Sequence, residues 1–354
     1  MFVQLSKIPY RWRTVLLLSI GIILCIRFLY NHDFAIPLSP EANLLKSTYL
    51  NQTSNNKMKL ANPIHGFDHF ESRLPKIQTT FDPESRSDRK EREERREAVK
   101  TAFLHGWKGY KTYALGHDEL KPISNQINNP FGGFGATLID SLSTMLVMEL
   151  FDEFEQVLPI IQNKSFIVDE DISVFESIIR YMGGLLSAYE LSEHPNKITL
   201  LHKAEELGLA LLPAFDTPYG IPYHKFNTEK NQGLNNETFL ADIATVQLEF
   251  LTLSYHTGNP VFAEKAQTIT DFLDKAGYAE GLYLSGLYPN HIDVAEGHFT
   301  DTTASFGGMG DSAYEVNIYI RNLIKASYLT LFFLVLFKRI HFDRRKNKPI
   351  WANV

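Results

Sequence analysis

The 354-residue sequence predicts an all-α fold built of consecutive helical hairpins. Helix-length segments with apolar residues at 3.6-residue spacing follow one another through the middle of the chain. Turn-forming stretches such as HPNK, DTPYGIPY and TGNP separate them. No stretch of any length alternates convincingly as a half-buried strand would.

At the N-terminus, Thr14 to Ile26 carries no charge, and Arg27 is followed by three more membrane-compatible residues. Residues 14–30 therefore reach the lower end of the roughly 17–25 residues that a span requires, with Arg27 reaching for the interface. Lys7, Arg11 and Arg13 precede the run and Asp33 follows it. The positive-inside bias then puts residues 1–13 in the cytosol and everything after residue 30 in a lumen, as an uncleaved type II signal anchor. No small-residue cleavage site follows the run. Residues 31–95 read as a lumenal stem, rich in Asn, Pro, Ser and Lys to Pro83, that passes into a charged helix. In that helix, pairs such as Glu91 and Arg95 stand four apart, as suits a solvated surface.

The periodic segments begin with GATLIDSLSTMLVMEL and continue with SVFESIIRYMGGLLSAYELS. In the second, Phe175, Ile178, Ile179, Met182, Leu186 and Tyr189 share one helical face. Gly183 and Gly184 lie in its interior, where each costs about 1 kcal/mol relative to Ala. Close helix packing is the usual compensation. NKITLLHKAEELGLALLPAF, FLADIATVQLEFLTLSYHTG and PVFAEKAQTITDFLDKAG complete the series.

Several chemistries are excluded. The net charge is −6 and the charged run nearly cancels itself, so nothing points to nucleic acid. The single cysteine, Cys25, lies in the apolar N-terminal run and can form no disulfide within the chain or serve as a catalytic thiol. There is no HExxH, P-loop or CxxC pattern, and GMGDSA has no preceding strand to make it a dinucleotide turn. Three N-x-S/T sequons, at Asn51, Asn163 and Asn236, fit glycosylation of a lumenal body.

What remains is carboxylate chemistry. Glu176 sits beside the apolar stripe with Arg180 one turn on, either as a plain i, i+4 ion pair or as an acid against an apolar wall. GWKGYKTYALGHDELKPIS places His117, Asp118 and Glu119 in a loop dense with Trp107, Tyr110 and Tyr113. Aromatic faces mixed with polar groups suit a sugar, although a charged turn over a buried Trp gives the same pattern. Asp140, within the apolar TLIDSLSTM, needs a partner wherever it is buried.

Six stretches then speak together: AFLHGWKGYKTYALGHDELKPIS, GATLIDSLSTM, FESIIRYMGGLLSAYELS, KAEELGLALLPAFDTPYGIPY, ATVQLEFLTLSYHTGNPVF and GGMGDSAYE. In this order, across residues 96–315, the chain resembles the class I α-1,2-mannosidases of glycoside hydrolase family 47. The resemblance implies an (αα)7 barrel, with only about its N-terminal half present here. It also implies Ca²⁺, oligomannose N-glycans as substrate, and hydrolysis with inversion, for which two carboxyl groups stand roughly 6.5–9.5 Å apart. Carried over by motif, the resemblance implies Glu176 as the acid, acting directly or through a water, and Asp311 of GDSAYE as the second acidic residue. Arg180, Asp242, and His117, Asp118 and Glu119 of GHDEL are implied at the sugar. Asp242 stands where the family usually has Glu, and Ser143 where it usually has Asp.

With the anchor and stem, the resemblance implies a type II protein of the endoplasmic reticulum or Golgi membrane, its catalytic part lumenal. The alternative is a non-catalytic, mannosidase-like oligomannose-binding protein of glycoprotein quality control, toward which Asp242 leans. Residues 316–354 match nothing expected of the family. Their apolar core, Ala326 to Phe337, is short for a span, and the Val316–Asn317 codons can spell an intron-donor sequence. The family's third essential carboxylate and the Thr that holds Ca²⁺ fall in the part without a counterpart. The expectation is a divergent tail, and a chain inactive on its own.

Overall fold

The computed structural model describes residues 81–279 and 287–316. All of these fall in the second of two units, Leu38–Val354. The stretches expected to form a cytosolic tail (1–13), an anchor (14–30) and most of a stem, the sequon at Asn51 and the tail from residue 317 lie outside the described residues. Among the described residues no helix is long and apolar enough to cross a membrane.

Helix α1 (Arg86–Tyr113) is the predicted charged helix, and it runs on without a break through the 95/96 boundary drawn from sequence. Ser85 caps it, its Oγ accepting from the Asp88 amide. Its first turns are solvated, with Arg92 paired to Glu84 at 2.7 Å and Arg95 to Glu91. Its last turns bury Trp107 and Tyr110. Trp107 and Lys111 both donate to Glu153, at 2.8 and 2.6 Å, fixing α1 to the helix that carries that carboxylate. Trp107 and Tyr110 are thus helical core residues and not part of an aromatic loop, while Tyr113 is exposed.

The periodic segments appear as α2 (Ala136–Asp140), α3 (Leu142–Val147), α4 (Phe151–Gln162), α5 (Val174–Glu176), α6 (Gly183–Leu191) and α7 (Ile198–Leu211). They continue in α8 (Leu240–Ala244), α9 (Gln247–Thr257) and α10 (Pro260–Ala279). A π-helical turn, Ser177–Met182, joins α5 to α6. Between α9 and α10, Gly258 takes the left-handed conformation that ends a helix, and Pro260 opens the next. Gly184 is required by contact: a Cβ there would lie 2.8 Å from the Ile139 carbonyl oxygen. That is the close helix packing expected for the Gly183–Gly184 pair. One apolar core joins these helices, centred on fully buried Tyr181, Phe154, Phe215, Phe226, Phe250 and Phe262.

The structure adds strands that the sequence did not announce. β1 (Glu119–Lys121) pairs with β2 (Gln126–Asn128). β4 (Lys225–Asn227) lies between β3 (Ile172–Ser173) and β5 (Gln232–Gly233). β7 (His291–Asp293) lies between β6 (Glu237–Phe239) and β8 (His298–Phe299). All pairs are antiparallel. Strands of two or three residues are too short to show a period of two, which is why the sequence reads as all-α. They matter for position: β3 runs straight into α5, and β6 straight into α8.

Candidate active site

Glu176 ends α5, its amide held by the Ser173 hydroxyl at 3.2 Å. The π-helical turn that follows widens the helix where Arg180 must reach back; such turns gather at functional sites. Arg180 Nε donates to Glu176 Oε2 at 2.6 Å, and Arg180 Nη1 lies 3.5 Å from Asp140 Oδ2. The guanidinium also sits over the Phe131 ring, 4.8 Å from its centroid. The Glu176 and Arg180 side chains keep 27% and 35% of their surface exposed, so the pair faces outward and is not sealed in the core. Asp140, the partner-seeking aspartate of the sequence, is half-exposed at the end of α2. Partial desolvation pushes its carboxyl up, against the pull of Arg180 and with the help of Glu176.

A second carboxylate approaches from α8. Asp242 keeps only 8% of its side-chain surface exposed, and His224 Nδ1 meets its Oδ2 at 2.6 Å. Burial pushes the Asp242 carboxyl up, His224 opposes that, and the charge of Glu176 adds to it. The same hydrogen bond raises the imidazole of His224. His224 is tied to Glu176 by backbone as well. Its carbonyl accepts from Val174 N at 3.1 Å, beside the Ser173–Lys225 strand pair.

The GHDEL loop plays two parts. Asp118 is fully buried. Its Oδ1 accepts from the amides of Gly135 and Ala136, its Oδ2 from those of Phe131 and Gly133. Oδ1 also accepts from the Tyr181 hydroxyl at 2.8 Å. Both oxygens are therefore used in holding the loop that presents Phe131 to Arg180. His117 and Glu119 stay partly exposed, His117 against Asn129 and Glu119 against Asn128.

Asp311 starts the helical residues 311–316 and accepts from the Ser312 amide. Its surroundings are docked on α8: Thr245 meets the Ser312 hydroxyl at 2.9 Å, and Ala241 N donates to Met309 O. Asn163 and Asn236 are exposed, whereas Thr238, the third residue of the Asn236 sequon, is buried. Ser143 lies in α3, partly exposed, with nothing in the structure to explain the departure from Asp. Sequence reasoning missed His224, whose partner is 18 residues away, and Glu249, an acid inside an apolar helix. Burial pushes the Glu249 carboxyl up to about 7.

Glu176, Arg180 and Asp140 thus gather, partly exposed, beside the β3–α5 junction of an α-helical hairpin fold, with the more deeply buried Asp242 on α8, an arrangement of polar groups that could meet the hydroxyls of a sugar. The chain matches glycosyl hydrolase family 47 over residues 102–333, and it belongs to that family. It is 39% identical over 229 residues to mannosyl-oligosaccharide 1,2-alpha-mannosidase MNS1 of Arabidopsis thaliana, covering 63% of this chain and 40% of that protein. It is 40% identical over 234 residues to mannosyl-oligosaccharide 1,2-alpha-mannosidase IB of Homo sapiens, covering 63% of this chain and 35% of that protein. The solved alpha-1,2-mannosidase from Trichoderma reesei superposes with a TM-score of 0.62 at 29% identity, over 70% of this chain and 54% of that one. The fold is therefore that of the family's (αα)7 barrel, of which these residues form a part. The match spans well under half the length of these curated relatives.

Proposed function

We propose that the protein is a mannosyl-oligosaccharide 1,2-α-mannosidase that trims oligomannose N-glycans by inverting hydrolysis. The observation that best supports this is Glu176 gripped by Arg180 and faced by Asp140 and Asp242, within the segment that matches the family. In this reading Glu176 supplies a proton to the glycosidic oxygen, directly or through a water. Water attacks the anomeric carbon from the opposite face, the bond to the leaving sugar breaks, and a carboxylate takes the water's proton. The products are β-mannose and a glycan one residue shorter. Asp311 is proposed as the second acidic residue of the reaction. Arg180 holds Glu176 in place, His117, Glu119 and Asp242 meet sugar hydroxyls, and Asp118 acts through the loop it organises.

Calcium is proposed as cofactor on the family resemblance. Among the described residues no three His, Cys, Asp or Glu side chains come together to hold a metal ion. A type II anchor at residues 14–30, glycans on Asn51, Asn163 and Asn236, and a lumenal site in the endoplasmic reticulum or Golgi complete the proposal.

The test is proton NMR of the sugar released from a Man9-type oligomannose by the full-length protein. The proposal expects β-mannose first, and none from Glu176→Gln. α-Mannose appearing first would overturn inversion, and release undiminished in Glu176→Gln would remove Glu176 from the reaction. No release by the wild type would overturn the enzymatic reading of this chain and match the rival expectation, drawn from its motifs, that it is inactive on its own.

A further inference from the structure

His224 is held as if to be used. Its Nδ1 is committed to Asp242 Oδ2 at 2.6 Å, its ring meets Phe239 edge-on at 5.1 Å, and its carbonyl is bonded to Val174 N. Asp242 of α8 and Phe239 of β6 hold the ring, and Val174 of α5 holds its backbone. Its Nε2 makes no hydrogen bond among the described residues, and 31% of the side chain stays exposed. On the far side of Phe239 the arrangement is repeated. His291 meets that ring at 5.0 Å, with Nδ1 bonded to Glu237 at 2.8 Å. The two imidazoles thus share one aromatic spacer, and the nearer one stands beside the residues that lead into Glu176.

We propose that His224 is a substrate-binding residue of the cleft, presenting Nε2–H to a hydroxyl of the mannose that contacts Glu176. The inference rests on the mannosidase reading given above and assigns it a sugar contact outside the residues that resemble the family's site. With Nδ1 bonded to a carboxylate, Nε2 becomes a donor when the ring is protonated, and a charged donor makes the stronger bond to a hydroxyl. The groups that set this protonation surround it. Asp242 and Glu237 favour the cation, Lys225 and partial burial oppose it, and Glu176 acts through Asp242. His224 is held above its ordinary range, so the donor persists to higher pH than in a free imidazole. Affinity falls as pH rises through that titration.

Two substitutions separate a sugar contact from a structural one. Glutamine keeps a donor near the Nε2 position but not the bond to Asp242; asparagine keeps the bond to Asp242 but not the donor. Titration of the full-length protein with a non-hydrolysable, thio-linked α-1,2-mannose disaccharide, from pH 5 to 8, reads both. The expected result is that His224→Asn binds about tenfold more weakly at pH 6, as loss of a charge-assisted hydrogen bond implies. His224→Gln stays within about threefold of wild type and loses the pH dependence. Wild-type binding with His224→Asn unchanged, or with the same pH profile in His224→Gln, overturns this inference and leaves the mannosidase reading standing. No binding by the wild type at any pH overturns both.

Discussion

At the scale of single residues, Arg180 connects most of the site: it binds Glu176, approaches Asp140 and covers Phe131. A planar fork suits that triple task and an ammonium does not. Arg180→Lys is therefore expected to weaken oligomannose binding about tenfold or more in a calorimetric titration. Thermal stability should change little, because partly exposed ion pairs contribute only about 0–1 kcal/mol. Glu249 carries a second prediction. Burial raises its carboxyl from 4.5 to about 7, so the unfolded chain ionises it before the folded one does. Stability from this group is present in full below pH 4.5 and is lost as pH rises toward 7. Glu249→Gln removes that loss, and its stability relative to wild type should rise on the order of 3 kcal/mol between pH 4 and 8. Denaturant midpoints at the two pH values measure it, and parallel curves would contradict it. The sequence shows Glu176 and Arg180 because they are neighbours on one helix. It hides His224 and Glu249 because one has a distant partner and the other owes everything to what packs around it.

At the scale of elements, the GHDEL loop is organised around a buried charge. Asp118 accepts four amides and the Tyr181 hydroxyl, so Asp118→Asn would turn one acceptor into a donor facing backbone N–H groups. The expected cost is about 3–5 kcal/mol in a denaturant titration, the loss typical of an uncompensated buried network. Tyr181 adjoins Arg180, so sugar binding should weaken with it. Gly184→Ala forces a Cβ to 2.8 Å from the Ile139 carbonyl and should cost about 1–3 kcal/mol by overpacking. The helices were legible because period and turn residues agree along each one. The three small sheets were not, since their pairing partners are brought together by the helices and leave no local pattern. The aromatics of α1 illustrate the same limit. Trp107 and Tyr110 look like loop residues until their three-residue spacing is continued back into the charged run.

At the scale of the whole molecule, helical hairpins supply the core and strand-to-helix junctions place the chemistry. Glu176 follows β3, Asp242 follows β6, and Asp311 stands where the last described turn docks on α8. Six motifs in family order made that family legible from sequence, and the family match over residues 102–333 agrees. Distances between carboxylates on different elements were not legible, because they depend on how hairpins pack. The most direct test of the central claim is a crystal structure of the full-length protein with a non-hydrolysable, thio-linked α-1,2-mannose disaccharide. The sugar is expected within hydrogen-bonding distance of Glu176 and Arg180, with one hydroxyl at His224 Nε2. A disaccharide bound elsewhere, with this cleft empty, would contradict it.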